Sequence, residues 1–231
     1  MVGHSPVLER SDFGEGNMVY SAWKAEKAKL IEFLLCPGHY AIEIGSFCGG
    51  TSRALGLACK LLRKRLICID PWQGEEGQDR FSRYQLNISD IMDSVITLKT
   101  TSCNALRLLP SDVKGDVCLV FVDGDHVYPQ PLHDMTHYWP LLAQGGVMAI
   151  HDIFDEWWHG CVFRAVTEFF KDKPGYCLEA MNYIPYADEV TAARHHSSGL
   201  IWTYCGSRPR SARLLLRKLF ARASLALATQ R

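Results

Sequence analysis

The chain has 231 residues, 48% of them hydrophobic and 22% charged, with 10 Phe, 9 Tyr and 6 Trp. That is enough apolar material for one large domain and far too much for a disordered chain. No apolar run approaches the roughly 18–20 residues of a membrane span, and the start of the chain lacks the charged-then-apolar pattern of a secretory signal. The net charge of zero is unevenly distributed. Residues 207–231 carry seven Arg or Lys and no acid, which leaves the first 206 residues with seven more acids than bases. An acidic body argues against a nucleic-acid binder. The nine cysteines are scattered, with no CxxC pair. They read as small buried hydrophobes in a reducing cytosol rather than a disulfide frame or zinc site.

In chain order, residues 18–35 predict a helix, stopped by Pro37-Gly38. A short apolar run, 40–44, ends at Gly45, and 51–63 is helical. Residues 65–70 (RLICID) predict a second buried strand ended by Pro71. Residues 74–94 are polar and helical toward their end, 95–98 a third strand and 103–109 a short helix. A fourth strand at 116–123 (DVCLVFVD) precedes a helix around 129–142. Gly145-Gly146 leads into a fifth, VMAIHD, then come a helix at 160–171 and a last strand near 199–205. Continuous apolar strands alternating with helices indicate an α/β fold, a doubly wound, mostly parallel sheet covered on both faces. Residues 1–206 form this domain and 207–231 a basic tail.

In such a sheet, ligands bind beyond the carboxyl ends of the strands. The first strand runs into E-I-G-S-F-C-G-G-T-S, residues 43–52, where glycines let backbone approach a ligand and the next helix offers free N–H groups. The spacing is not the G-x-G-x-x-G of a nicotinamide dinucleotide site, nor does a Lys follow as in a phosphate loop. Asp70 ends the second strand, 25 residues after Gly45, where a carboxylate can accept both hydroxyls of a ribose. Ser102-Cys103-Asn104 follow the third strand and can meet an adenine edge. Taken in order, these features describe a nucleoside-bearing cofactor.

These segments, with C-I-D-P-W, F-V-D-G-D-H-x-Y and L-L-A-Q-G-G-V-x-A-I-H-D, resemble the class I S-adenosylmethionine-dependent methyltransferases. More narrowly they resemble the group with metal-dependent sugar and small-molecule O-methyltransferases. The resemblance covers about residues 15–205 and implies a seven-stranded Rossmann-like sheet of order 3-2-1-4-5-7-6 with strand seven antiparallel. It implies that Glu43, Gly45, Ser46 and Gly49 line the methionine and ribose part of the cofactor. Asp70 would hold the ribose with Trp72 close by, Cys103 and Asn104 would contact adenine, and Asp123 would adjoin the cofactor.

Asp123, Asp125 and His126 follow the fourth strand, and His151, Asp152 and Asp155 the fifth. Adjacent strands lie about 4.8 Å apart, so Asp123 and Asp152 can reach one ion. Carboxylates suit Mg²⁺, Mn²⁺ or Ca²⁺ better than zinc. An ion there would lower the pKa of a substrate hydroxyl, with His126, of ordinary pKa about 6.5, as general base. The resemblance supports Asp123, His126 and Asp152 but departs at residue 151, where that group has an acid and this chain has His. Asp125 or His151 is therefore the expected third ligand.

The expected activity is methyl transfer to a hydroxyl of a sugar or other small molecule. A metal-independent methyltransferase and a non-catalytic cofactor-binding adaptor are the alternatives. Phe154, Trp157, Trp158 and Tyr183 offer an aromatic wall for a substrate, or packing beneath a helix or at a homo-oligomer contact. The tail sets Arg210, Arg213 and Arg217 on one helical face and Leu215, Leu216, Leu219 and Phe220 on another. Such a helix suits peripheral membrane contact, a partner subunit or a frayed end. A cytoplasmic location is expected, with membrane association through the tail as one of those three options.

Overall fold

The computed structural model describes residues 17–153, 160–173, 178–181 and 199–206, with side chains from residue 25. The proposed aromatic wall, Asp155 and the basic tail lie outside the described residues.

The strands are β1 (Tyr40–Ile44), β2 (Arg65–Asp70), β3 (Val95–Lys99), β4 (Val117–Val122), β5 (Leu142–His151), β6 (Glu179–Met181) and β7 (Leu200–Tyr204). Helices α1 (Asn17–Phe33), α2 (Gly50–Leu62), α3 (Gly74–Ile88), α4 (Ser102–Ala105), α5 (Gln130–Tyr138) and α6 (Cys161–Phe170) connect and cover them. One sheet forms in the order β3-β2-β1-β4-β5-β7-β6. All pairings are parallel except those of β7, which runs antiparallel to β5 and β6. The expected strand order is therefore the observed one. The short β6 went unread because three residues, one of them exposed, carry too little pattern.

Every residue of β1 and β4 is buried, the signature of strands sandwiched between helical layers. The period-two alternation of a strand divides their side chains between two cores. Ala41, Leu119, Phe121, Val147 and Ala149 pack against α1 and α2, where Leu30, Phe33, Leu55 and Cys59 are buried, and against Leu34 just past α1. Ile42, Ile44, Val120, Val122, Met148 and Ile150 face Met135, Tyr138, Val162 and Phe169 of α5 and α6. Among the described residues eight cysteines are free. Five are buried as expected, but Cys103 is exposed and Cys161 and Cys205 half-buried.

Register decides what meets at the carboxyl edge. Ile44 pairs with Ile69 and Val122, and Val122 with Ile150. The next residues, Gly45, Asp123 and His151, therefore emerge side by side. The β1 and β4 ends come so close that a Cβ on Gly45 would sit 1.9 Å from the Asp123 carbonyl oxygen, and Gly45 also takes φ +91°. Glycine is required at this position on both counts.

Candidate active site

The glycine loop is pinned from below. Glu43, 1% exposed, accepts hydrogen bonds from Ser46 Oγ at 2.9 Å, from Ser52 Oγ, and from Cys68 Sγ at 3.4 Å. Burial pushes its carboxyl up to about 7 against those donors, with the nearby Asp123 charge adding to the rise. Glu43 thus organises the loop from beneath rather than standing open to solvent. Gly49, at φ +83°, caps α2 in the left-handed conformation.

Asp70 takes the Phe47 N–H at 2.9 Å on one oxygen and the Trp72 N–H at 2.8 Å on the other. Each carboxylate oxygen retains a second acceptor site, enough to receive a hydroxyl from outside. Trp72, expected close to the ribose, is packed against the core. It is 4% exposed, its ring lies 4.6 Å from Tyr84 and 4.8 Å from Phe81 between centroids, and its indole N–H bonds the Phe47 carbonyl at 2.7 Å. It supports the loop from the core. Replacing Asp70 by alanine is expected to leave two backbone N–H groups unpaired, costing about 1–3 kcal/mol of stability. Binding of S-adenosylhomocysteine should weaken in the same variant, read by calorimetry beside a melting curve. Cys103 and Asn104 are exposed on α4, whose first turn is capped by Thr101. Ser102 is held beneath them, donating to Asp134 at 2.6 Å.

At the ends of β4 and β5, Asp123, His126 and Asp152 converge, each with a ligating atom within 4.8 Å of the others'. Asp152 follows β5 in the left-handed conformation, φ 53°, which aspartate tolerates better than most residues and which turns its carboxylate back toward β4. One of its oxygens lies 2.9 Å from His126 Nε2, and the other 3.2 Å from His151 Nδ1. His126 Nε2 is 3.8 Å from Asp123. Asp123 and His126 are partly exposed while Asp152 is buried, so the cluster opens on its β4 side.

The expected third ligands stand elsewhere. Asp125 is exposed and accepts the Val127 N–H in its own turn at 2.9 Å. His151, 4% exposed, lies behind the acids, its Nδ1 3.2 Å from Asp123 and its Nε2 3.1 Å from Glu26 of α1. The third atom of the converging set belongs to His126 instead. Its expected near-neutral pKa does not hold either. Burial alone would lower it, but hydrogen bonds and charge from Asp123 and Asp152 outweigh burial and lift it to about 10. The Asp152 carboxyl is correspondingly held well below the usual range by His151 and His126, in spite of its burial.

Glu26 and Lys27 were not foreseen as site residues. Lys27 Nζ donates to the Gly50 carbonyl at 3.3 Å. Burial brings it down to about 8, against the charges of Glu43 and Asp123. Glu26 did leave a trace in the sequence. With Leu30, Phe33 and Leu34 it falls at i, i+4, i+7 and i+8, an acid on the buried stripe of a helix.

Because the folded state raises His126 far above its ordinary 6.5, its contacts stabilise the metal-free protein fully below pH about 6.5. That stabilisation fades as pH climbs toward 10, at up to about 1.4 kcal/mol per pH unit. Melting temperatures in EDTA should fall between pH 7 and 9.5. A flat profile would show that His126 is not paired as described.

Residues 42–153 match a family model described as a methyltransferase domain. Over that stretch the chain is similar to methyltransferase domains, and the observed strand order is the one that the resemblance above implied. An uncharacterised protein of Acanthamoeba polyphaga mimivirus is 29% identical over 161 residues, 68% of this chain and 69% of its own. The fold is similar to that of the Streptomyces achromogenes O-methyltransferase TomG, involved in tomaymycin synthesis and solved with S-adenosylmethionine. The TM-score is 0.59 at 16% identity, covering 79% of this chain and 81% of that one. It is similar also to a proposed O-methyltransferase from Klebsiella pneumoniae, with TM-score 0.62 at 15% identity, covering 90% and 93%. Among the described residues no helix is long and apolar enough to cross a membrane.

Proposed function

We propose that the chain transfers the methyl group of S-adenosylmethionine to a hydroxyl of a small molecule, assisted by a divalent cation held by Asp123, His126 and Asp152. The observation that carries this reading is the convergence of those three side chains beside the glycine loop, their ligating atoms within 4.8 Å of one another. That spacing suits one shared ion at metal–ligand distances of about 2.0–2.4 Å. Two carboxylates and an imidazole favour Mn²⁺ over the expected Mg²⁺, because imidazole is the softer donor. When bound, such an ion lowers the pKa of a coordinated hydroxyl and orients its oxygen.

In this reading Asp70 would hold the ribose, Cys103 and Asn104 would meet the adenine, and the loop at Gly45–Gly49 would carry the methionine part beside the Asp123 rim. In the transfer the S–CH₃ bond breaks, the O–CH₃ bond forms, and the sulfur keeps the electron pair as S-adenosylhomocysteine. The hydroxyl proton must leave. His126 cannot take it while Asp123 and Asp152 hold its own proton up to a pKa of about 10. With a cation held by all three groups, the His126 Nε2 lone pair would be given to the ion, so the proton would pass to water from a hydroxyl that the ion makes more acidic.

The His126–Asp152 contact at 2.9 Å also supports a metal-free reading, in which the pair alone binds and orients the hydroxyl. Labelled methyl transfer to a panel of hydroxylated compounds, sugars included, separates the two. Loss of transfer in EDTA and recovery with Mn²⁺ is expected, and transfer indifferent to EDTA selects the metal-free form. Failure of the chain to bind S-adenosylhomocysteine in calorimetry would overturn both.

A further inference from the structure

Behind the converging acids lies a second layer that methyl transfer itself does not use. Period-two alternation along β5 sends His151 to the same face as Val147 and Ala149, the side covered by α1. There it meets Glu26, 1% exposed, at 3.1 Å. Glu26 comes from 125 residues earlier in the chain. The other ring nitrogen of His151 faces Asp123 and Asp152 together, each at 3.2 Å. One imidazole thus touches three carboxylates, two belonging to the site and one to the first helix.

We propose that Glu26 is a positioning residue of the reaction centre: through the His151 ring it holds the Asp123 and Asp152 carboxylates in the orientation that converges on His126. The inference rests on the metal-assisted reading above. The physical reason is rotational freedom. A buried ring held at one nitrogen only can still tilt, whereas one with a carboxylate at Nε2 and two more facing Nδ1 has its plane set. That plane decides where Nδ1 points, and Nδ1 is a common partner of both acids. With it fixed, Asp152 keeps one oxygen for His151 and turns the other to His126. Outer partners of this kind typically change metal affinity 10–100-fold when removed. Glu26 acts through an intervening ring, so the lower end of that range applies. Helix α1 thereby becomes part of the site, although it supplies none of the converging ligands.

The test compares wild type with Glu26→Ala and Glu26→Gln, measuring Mn²⁺ affinity by electron paramagnetic resonance and S-adenosylhomocysteine affinity by calorimetry. We expect Mn²⁺ binding to weaken about tenfold in Glu26→Ala. Glu26→Gln, which keeps an oxygen for the His151 N–H, should fall between Glu26→Ala and wild type. Affinity for S-adenosylhomocysteine should stay at the wild-type value in both. Unchanged Mn²⁺ affinity in Glu26→Ala overturns the proposal. So does a parallel loss of both affinities, which would mean that Glu26 merely holds the fold together. If the wild type takes up no Mn²⁺, the metal reading falls separately. The ¹⁵N ring resonances of His126 then decide for Glu26, supporting it if they shift in Glu26→Ala and overturning it if they do not.

Discussion

Substituting Asp152 by asparagine is expected to lower Mn²⁺ affinity by at least about 100-fold, more than an outer partner would, because a charged ligand is removed. Asparagine has the shape of aspartate and shares its tolerance of the left-handed backbone, so the φ of 53° at this position is preserved. What disappears is the negative charge between His126 and His151. The same variant should let the His126 pKa fall from about 10 toward its ordinary value. A ¹⁵N titration of the ring reads that change directly. The direction follows from the lost charge: with residue 152 neutral, Asp123 alone opposes the desolvation that lowers the ring. Binding of S-adenosylhomocysteine should change by less than about threefold, since Asp152 is assigned to the acceptor side of the rim. An unchanged Mn²⁺ affinity would remove Asp152 from the proposed ligand set.

Gly45→Ala should be the most damaging single methyl addition on the rim. The new Cβ would lie 1.9 Å from the Asp123 carbonyl oxygen and 2.7 Å from the Gly124 Cα, both backbone atoms without a rotamer to escape by. The φ of +91° adds a conformational penalty of about 1–3 kcal/mol before any clash is counted. The β1 and β4 ends must separate, which shifts the glycine loop and Asp123 together. We therefore expect a stability loss of at least about 3 kcal/mol, with loss of S-adenosylhomocysteine binding and of Mn²⁺ binding in whatever remains folded. Gly124→Ala is the control. Its Cβ would meet Ile44 Cγ2 at 3.2 Å, the tip of a side chain that can move, at a φ outside the left-handed region. Denaturant melts of the two variants side by side test the contrast. A Gly45→Ala protein as stable as Gly124→Ala would mean that β1 and β4 do not approach as described.

Much of this architecture could be read along the chain, and the reason is local periodicity. Residues 66–69 and 117–122 are unbroken apolar runs, 40–44 is broken only by Glu43, and only a sheet covered on both faces buries every side chain of such runs. Pro37-Gly38 and Gly145-Gly146 mark where elements stop and start. Asp123, His126 and Asp152 were legible because polar residues at the ends of apolar strands have few structural reasons to be there, and a parallel sheet puts those ends on one edge. Asp125 and His151 were equally plausible on those grounds, and the sequence could not choose among them.

Those choices were made by register and long-range packing. Whether Asp125 turns inward or satisfies its own turn depends on one backbone hydrogen bond, to the Val127 N–H. The destination of His151 depends on which face of β5 is covered by α1, a contact with a residue 125 positions away. Trp72 lies beneath the loop because Phe81 and Tyr84 of α3 pack against it. The proton on His126 is decided in the same way. Its ordinary pKa belongs to the isolated residue, and only the approach of two carboxylates from neighbouring strand ends lifts it to about 10. The chain by itself determined which elements form and which edge of the sheet carries polar groups, because hydrophobic periodicity is a short-range property. Only the tertiary structure decided which of those groups face one another and in what charge state, because contact and electrostatic coupling depend on distance in space, not along the backbone.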